Sequence, residues 1–167
     1  MIQFQQTLQI WQSALDRYSE SALTITPHVG WSAGQLYLHL IDSTNWFFDQ
    51  AEACIGNTNA LQEQMKDAAK RMFVNNSFPD LKIKGDPLVN DTLPQPASKA
   101  YLVVELNKLG TRASAFQERL ATNPVFGKSA HPGLGYFNPH EWLQYSEMHM
   151  RHHLRQKERI DSFILSQ

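Results

Sequence analysis

Apolar residues recur along the first segment at Phe4, Leu8, Trp11, Leu15 and Tyr18, in steps of 4, 3, 4 and 3. That spacing draws one stripe down a helix packed on its neighbours. The segment ends before Thr24 to Pro27, whose composition predicts a turn. Ser32, followed three residues later by Gln35, then forms a capping box in which hydroxyl and amide each satisfy a free backbone N–H. A second helix is expected from about Ala33 to Cys54, with Leu36, His39, Leu40, Ser43, Trp46, Phe47 and Gln50 on a wide inner stripe. Gly56 and Asn57 supply its stop signal.

The stretch from Gly56 to Ala97 reads as one long connection carrying a satellite helix, Asn59 to Val74, with Leu61, Met65, Ala68 and Met72 on one face. Pro79, Pro87, Pro94 and Pro96 break up the remainder, within which Lys82-Ile83-Lys84 reads as a short extended piece. A third long helix is expected from Ser98 to Leu120, on the stripe Leu102, Leu106, Leu109, Ala113, Phe116 and Leu120. Gly110 inside it costs up to about 1 kcal/mol relative to alanine. A loop follows Asn123-Pro124. The last helix opens at Asn138-Pro139-His140-Glu141, with asparagine as cap and proline at the first helical position. Its stripe is Trp142, Ser146, His149, His153, Gln156, Ile160 and Phe163.

The pattern predicts an all-α fold, a four-helix bundle. Two of its three connections are long, which implies a crossover rather than a simple up-and-down path. At 167 residues the chain suits a single domain over 1–167 that needs no disulfide to hold its core. The lone cysteine, Cys54, excludes an internal disulfide and a multi-cysteine zinc site. A formal net charge of −1 with dispersed Lys and Arg argues against nucleic-acid or anionic-membrane binding. The local cluster Arg151, Arg155, Lys157 and Arg159 alternates with Glu147, Glu158 and Asp161, and reads as a solvated helix face. Met1 to Gln6 lacks a basic region followed by an apolar run, and nowhere do about 18 apolar residues run together. The expected location is the cytoplasm.

Histidines at core positions carry the candidate chemistry. His149 and His153 are four apart and stack on one helix face, about 6 Å apart along the axis, so both can reach one ion. They occupy a stripe where Leu or Ile is expected, and His39 sits likewise on the inner face of the second helix. Buried imidazoles left unbonded cost about 1–3 kcal/mol each. Two solutions answer that cost: one divalent metal with a fourth position open, or hydrogen bonds to core carbonyls and carboxylates. His152 is expected on the flank of the stripe and His140 at the surface. His131 is read as fixing its loop or lining the mouth of a site, and His28 carries no signal. Cys54 lies 15 residues beyond His39, about 22 Å along a helix, too far to share its metal. The residue after His149 is Met150 rather than the glutamate of a zincin, which counts against peptide hydrolysis.

The run His149 to Gln156, a histidine, three residues, a second histidine and a glutamine three further on, resembles the closing motif of the DinB-like superfamily. Ser32 to Leu40 resembles that superfamily's second-helix segment, where its first ligand histidine sits. His131 to Gly135 and Glu141-Trp142 resemble a branch of unknown function. The resemblance implies a four-helix bundle wired up-down-down-up, with the long crossover between helices 2 and 3. It implies that His39, His149 and His153 hold a divalent metal, zinc or nickel, and that the protein is a homodimer. Relatives include transferases that use a low-molecular-weight thiol and a thiol-dependent isomerase. The expectation is therefore a metal-binding protein, a thiol-type transferase or a hydrolase acting on a small-molecule substrate, with a non-catalytic ligand-binding or interaction protein as the alternative. His131, Tyr136 and Asp42 are candidates for groups around the metal.

Overall fold

The first helix, α1 (Ile2–Asp16), forms on the expected stripe, with Phe4, Leu8, Trp11 and Leu15 all buried. It stops short of Tyr18. A short helix absent from the periodicity, α2 (Glu20–Thr24), follows at once, capped by the Ser19 hydroxyl accepting from the Ala22 N–H at 3.1 Å. The computed structural model describes residues 2–79 and 92–166. Lys82-Ile83-Lys84 lies outside the described residues.

The Ser32–Gln35 box sets the start of α3 (Ala33–Glu52): Ser32 Oγ accepts from the Gln35 N–H at 3.1 Å and Gln35 Oε1 from the Ser32 N–H at 3.0 Å. Its buried side is wider than one stripe and adds Tyr37, Ile41, Thr44, Phe48 and Ala51, while Trp46 stands at the rim, 38% exposed. The satellite helix is shorter than the spacing predicts. It is α4 (Asp67–Asn75), and the backbone from Asn59 to Lys66 is spent on other partners. The Lys128 N–H donates to the Asn59 carbonyl, the Lys66 N–H to Leu134 and the Tyr136 N–H to Gln64. Ala60 also adopts a left-handed φ of 54°. A helix cannot form where its own ladder bonds have been diverted.

Two long helices complete the chain, α5 (Lys99–Thr122) and α6 (Pro139–Ile164). Between them is an antiparallel hairpin, β1 (Ser129–His131) and β2 (Gly135–Phe137), with Ala130 opposite Tyr136. The sequence pattern shows only a loop here, because strands of three residues are too short to show alternation. The Asn138 side chain and Glu141 form a second capping box at the start of α6. The protein is thus mostly helical, with six helices and one two-stranded sheet among the described residues. None of these helices is long and apolar enough to cross a membrane.

The long helices meet pairwise: α3 packs on α6 and α5, and α1 on α6 and α5. Thr7 bonds Glu147, Trp11 bonds Met150 and Tyr18 bonds Asp161, so residue numbers rise together between the α1 segment and α6. They also rise together between α3 and α5, where Arg112 meets Asn45 and Arg119 meets Glu52. They run oppositely between α3 and α6, where Phe47 stacks on Trp142 and His39 meets His153. Gln5 with Gly110 and Gln12 with Asn107 show the same opposition between α1 and α5.

Of the cations read as a solvated face, Arg151 and Lys157 pair with carboxylates on α6, and Lys157 is buried rather than solvated. Arg151 holds the buried Glu147 through both carboxylate oxygens, at 2.9 and 2.8 Å, and Thr7 donates to the same carboxylate. Lys157 is buried and pairs with Asp161, which also accepts from Tyr18. A one-turn spacing of acid and base reads alike for an exposed and an enclosed pair, and only packing separates them.

Gly34 shows how the end of the long connection is fixed. A Cβ there would lie 2.6 Å from Pro96 Cγ and 2.9 Å from the Leu23 carbonyl oxygen. Alanine gains up to about 1 kcal/mol over glycine inside a helix, but overpacking costs about 1–3 kcal/mol, and the Leu23 backbone cannot yield cheaply. Gly34→Ala is expected to lower stability in denaturant titration. A stabilised variant would contradict the contact of Pro96 with α3.

Candidate metal centre

His39 projects from α3, and His149 and His153 from successive turns of α6, along the most extensive helix contact among the described residues. Three ring nitrogens converge there, all within 4.8 Å of one another. Nε2 of His153 lies 3.2 Å from Nε2 of His39 and 3.2 Å from Nε2 of His149. Nitrogens bound to one zinc at about 2.0–2.1 Å in tetrahedral array would stand about 3.3 Å apart. Both pairs that include His153 have that spacing, all three nitrogens lie within 4.8 Å of one another, and His39, His149 and His153 are positioned to bind a metal.

Burial fixes the charge state. His149 is buried, and desolvation holds its pKa well below the usual histidine value, reinforced by His153 and His39. Desolvation pushes His39 down to about 4, and desolvation with neighbouring His39 pushes His153 down to about 3. All three are neutral near pH 7, the form in which imidazole is a ligand. Aromatic rings pack around them: Trp31 on His39, Phe47 on His149, and Phe78 on His149 and His152.

Outward-facing nitrogens differ among the three. His153 Nδ1 lies 3.0 Å from Gln156 Oε1, one turn on along α6. Among the described residues the buried Nδ1 of His149 has no hydrogen-bond partner, and its polar contacts there lie at the end that faces the cluster. Convergent neutral nitrogens fit a metal, and His149 bound through Nε2 would carry its hydrogen on the Nδ1 that has no partner among the described residues.

His131, on β1, is not in the cluster. Its Nδ1 accepts from the Gly133 N–H at 3.1 Å, and its Nε2 lies 3.1 Å from the hydroxyl of Tyr145, one turn before His149 on α6. It fixes the hairpin and reaches the aromatic surroundings of the site through Tyr145, whose ring packs on Phe47 and Phe78. Tyr136 lies on β2 and bonds no histidine among the described residues. Asp42 is exposed, near Glu105, and outside the cluster. His152 flanks the stripe against Phe78 and Arg155, while His140 and His28 are exposed. Cys54 is buried, bonded to the Gln50 carbonyl and Ser129, with its thiol pKa raised by desolvation.

Sequence reasoning passed over Trp31, Phe78 and Tyr145. Tyr145 left a signal, since it precedes His149 by one turn on the same face. Phe78 left none, because only tertiary packing brings it from the long connection onto the site.

A family model described as the DinB superfamily matches residues 3–156, nearly the whole chain and all three histidines. No curated protein and no solved structure matches it.

Depressed histidine pKa values set the sign of an acid response. Unfolded, each histidine takes a proton near pH 6.5; folded, His39 and His131 resist until about 4 and His153 until about 3. The unfolded state therefore binds more protons in this window, and stability is present above about 6.5 and lost as pH falls. Chelator-treated protein should show denaturation midpoints dropping steadily from pH 7 to pH 4, by at most about 1.4 kcal/mol per pH unit for each histidine. A flat profile would mean that these rings are already solvated or charged.

Proposed function

The chain belongs to the DinB superfamily, and from that premise we propose that it binds one divalent metal through His39, His149 and His153 and uses it on a small molecule. The observation that carries this reading is the convergence of three neutral ring nitrogens from two facing helices, with His153 Nε2 3.2 Å from Nε2 of both His39 and His149 and all three within 4.8 Å. Imidazole-only ligation suits zinc or nickel better than magnesium or calcium, which take oxygen donors. When bound, a metal with an open position lowers the pKa of a thiol or water and so supplies a nucleophile at neutral pH.

The chain's own residues then divide the work. His39, His149 and His153 hold the ion, while Trp31, Phe47 and Phe78 keep water from its protein side. The reading that follows is a transferase of the thiol type, taking a low-molecular-weight thiol as co-substrate, or a hydrolase. A second reading, a non-catalytic protein that captures a small ligand, is favoured by one specific feature. Among the described residues no carboxylate contacts the three histidines, and the residue after His149 is Met150, so no general base stands ready.

The architecture proposed with it is one domain over 1–167, a four-helix bundle of α1, α3, α5 and α6 wired up-down-down-up. The paired registers support this wiring: α1 runs with α6, α3 runs with α5, and the two pairs oppose each other. The long crossover between the second and third bundle helices, α3 and α5, follows from it. A homodimer in the cytoplasm, without nucleic-acid or membrane partners, completes the proposal.

Elemental analysis of tag-free protein should find about one metal per chain, and His39→Ala should lose it. Screens of small electrophiles with thiols, and of hydrolysable small molecules, should then give turnover that His153→Ala abolishes together with the metal. Turnover that survives complete metal removal would sink the enzymatic reading. Stoichiometric metal without turnover in any screen would favour ligand capture.

A further inference from the structure

Three neutral imidazoles facing one another must share their hydrogens in a definite way, because each ring carries one hydrogen and one lone pair. His149 is the place to start. Its Nδ1 is buried without a partner among the described residues, and an orphaned buried N–H is rarer and costlier than an orphaned acceptor. Without metal, its hydrogen therefore belongs on Nε2, 3.2 Å from Nε2 of His153. That hydrogen needs a lone pair to meet, so His153 Nε2 must be bare. The hydrogen of His153 then sits on Nδ1, where Gln156 Oε1 waits at 3.0 Å.

We propose that Gln156 is the positioning residue of the cluster: its side-chain carbonyl accepts the Nδ1 hydrogen of His153 and holds that ring's Nε2 lone pair toward His39 and His149. No other side-chain group is bonded to the Gln156 amide among the described residues, so it can turn its oxygen to the ring. An i,i+3 pair on α6 keeps both in reach through one helix turn. His153 thus stands preset as a ligand in the metal-free protein. His149 does not, since it must move its hydrogen to the unpartnered Nδ1 before Nε2 can donate to an ion. The tautomers stand on hydrogen bonding alone; their effect on affinity rests on the metal-binding reading above.

Nitrogen NMR of ¹⁵N-histidine-labelled, chelator-treated full-length protein at neutral pH reads the tautomers directly. The expected spectrum shows His153 protonated at Nδ1 and bare at Nε2, with His149 the reverse. Gln156→Leu should turn His153 into a tautomer mixture, whereas Gln156→Glu, whose carboxylate can only accept, should retain the Nδ1–H form. In zinc competition against a chromophoric chelator, Gln156→Leu should bind about 10-fold more weakly or worse, and Gln156→Glu should recover wild-type affinity or exceed it. A His153 carrying its hydrogen on Nε2 in the wild type, or one unmoved by Gln156→Leu, would overturn the proposal even if zinc binds. Expected tautomers in a wild type that binds no zinc would instead sink the metal reading and leave the role of Gln156 standing. Equal loss of affinity in both variants would mark Gln156 as a packing residue and also overturn the proposal.

Discussion

Three imidazoles enclosed between α3 and α6 are the constraint around which the rest of the molecule is arranged. An apolar helix interface would need no explanation, because Leu and Ile at those positions would bury more surface at no polar cost. Placing histidine there exchanges that gain for a demand that each ring nitrogen find a partner. The structure meets the demand unevenly. Gln156 serves His153, the rings serve one another at Nε2, and among the described residues His149 Nδ1 goes without. Such an arrangement is a weak way to build a core and a good way to build a ligand set.

The surroundings hold this arrangement in place. Both ligand-bearing helices begin at reciprocal capping boxes, Ser32 with Gln35 and Asn138 with Glu141, which fix where each helix starts and so which residues face the partner. The α6 ion pairs with Thr7, Tyr18 and the end of α4 set the position of that helix against α1. Arg151 and Gln144 both reach Asn76, two residues before Phe78, and thereby place that ring over His149. The Gly133–His131–Tyr145 chain does the same from the hairpin side. Ordinary elements of stability thus become determinants of the site's geometry.

What the sequence made legible follows from the range of the interactions involved. Helix starts and the four long stripes rest on neighbours within one turn, so Ser32, Asn138, Leu36, Leu106 and Trp142 could be placed from spacing alone. The same local logic put His149 and His153 on one face and His39 on another. Their meeting is a tertiary fact that the motif order suggested and the packing supplied. Elements defined by distant partners were not legible: the hairpin, the early part of the α4 segment and the burial of Glu147 and Lys157. Met65 and Leu61 had helical spacing, yet backbone bonds to Leu134 and Lys128 on either side of them decided their fate. Gln156 was visible as part of a motif, but its role needed the 3.0 Å contact with His153 to be stated.

The central claim is that one ion joins these three rings through their Nε2 atoms. The most direct measurement is a crystal structure of the metal-loaded protein, with anomalous scattering collected at the metal's absorption edge. The account predicts a single anomalous peak about 2.0–2.1 Å from Nε2 of His39, His149 and His153, with Gln156 still on His153 Nδ1. A peak elsewhere, ligation through Nδ1, or an ion that leaves out any of the three histidines would contradict it.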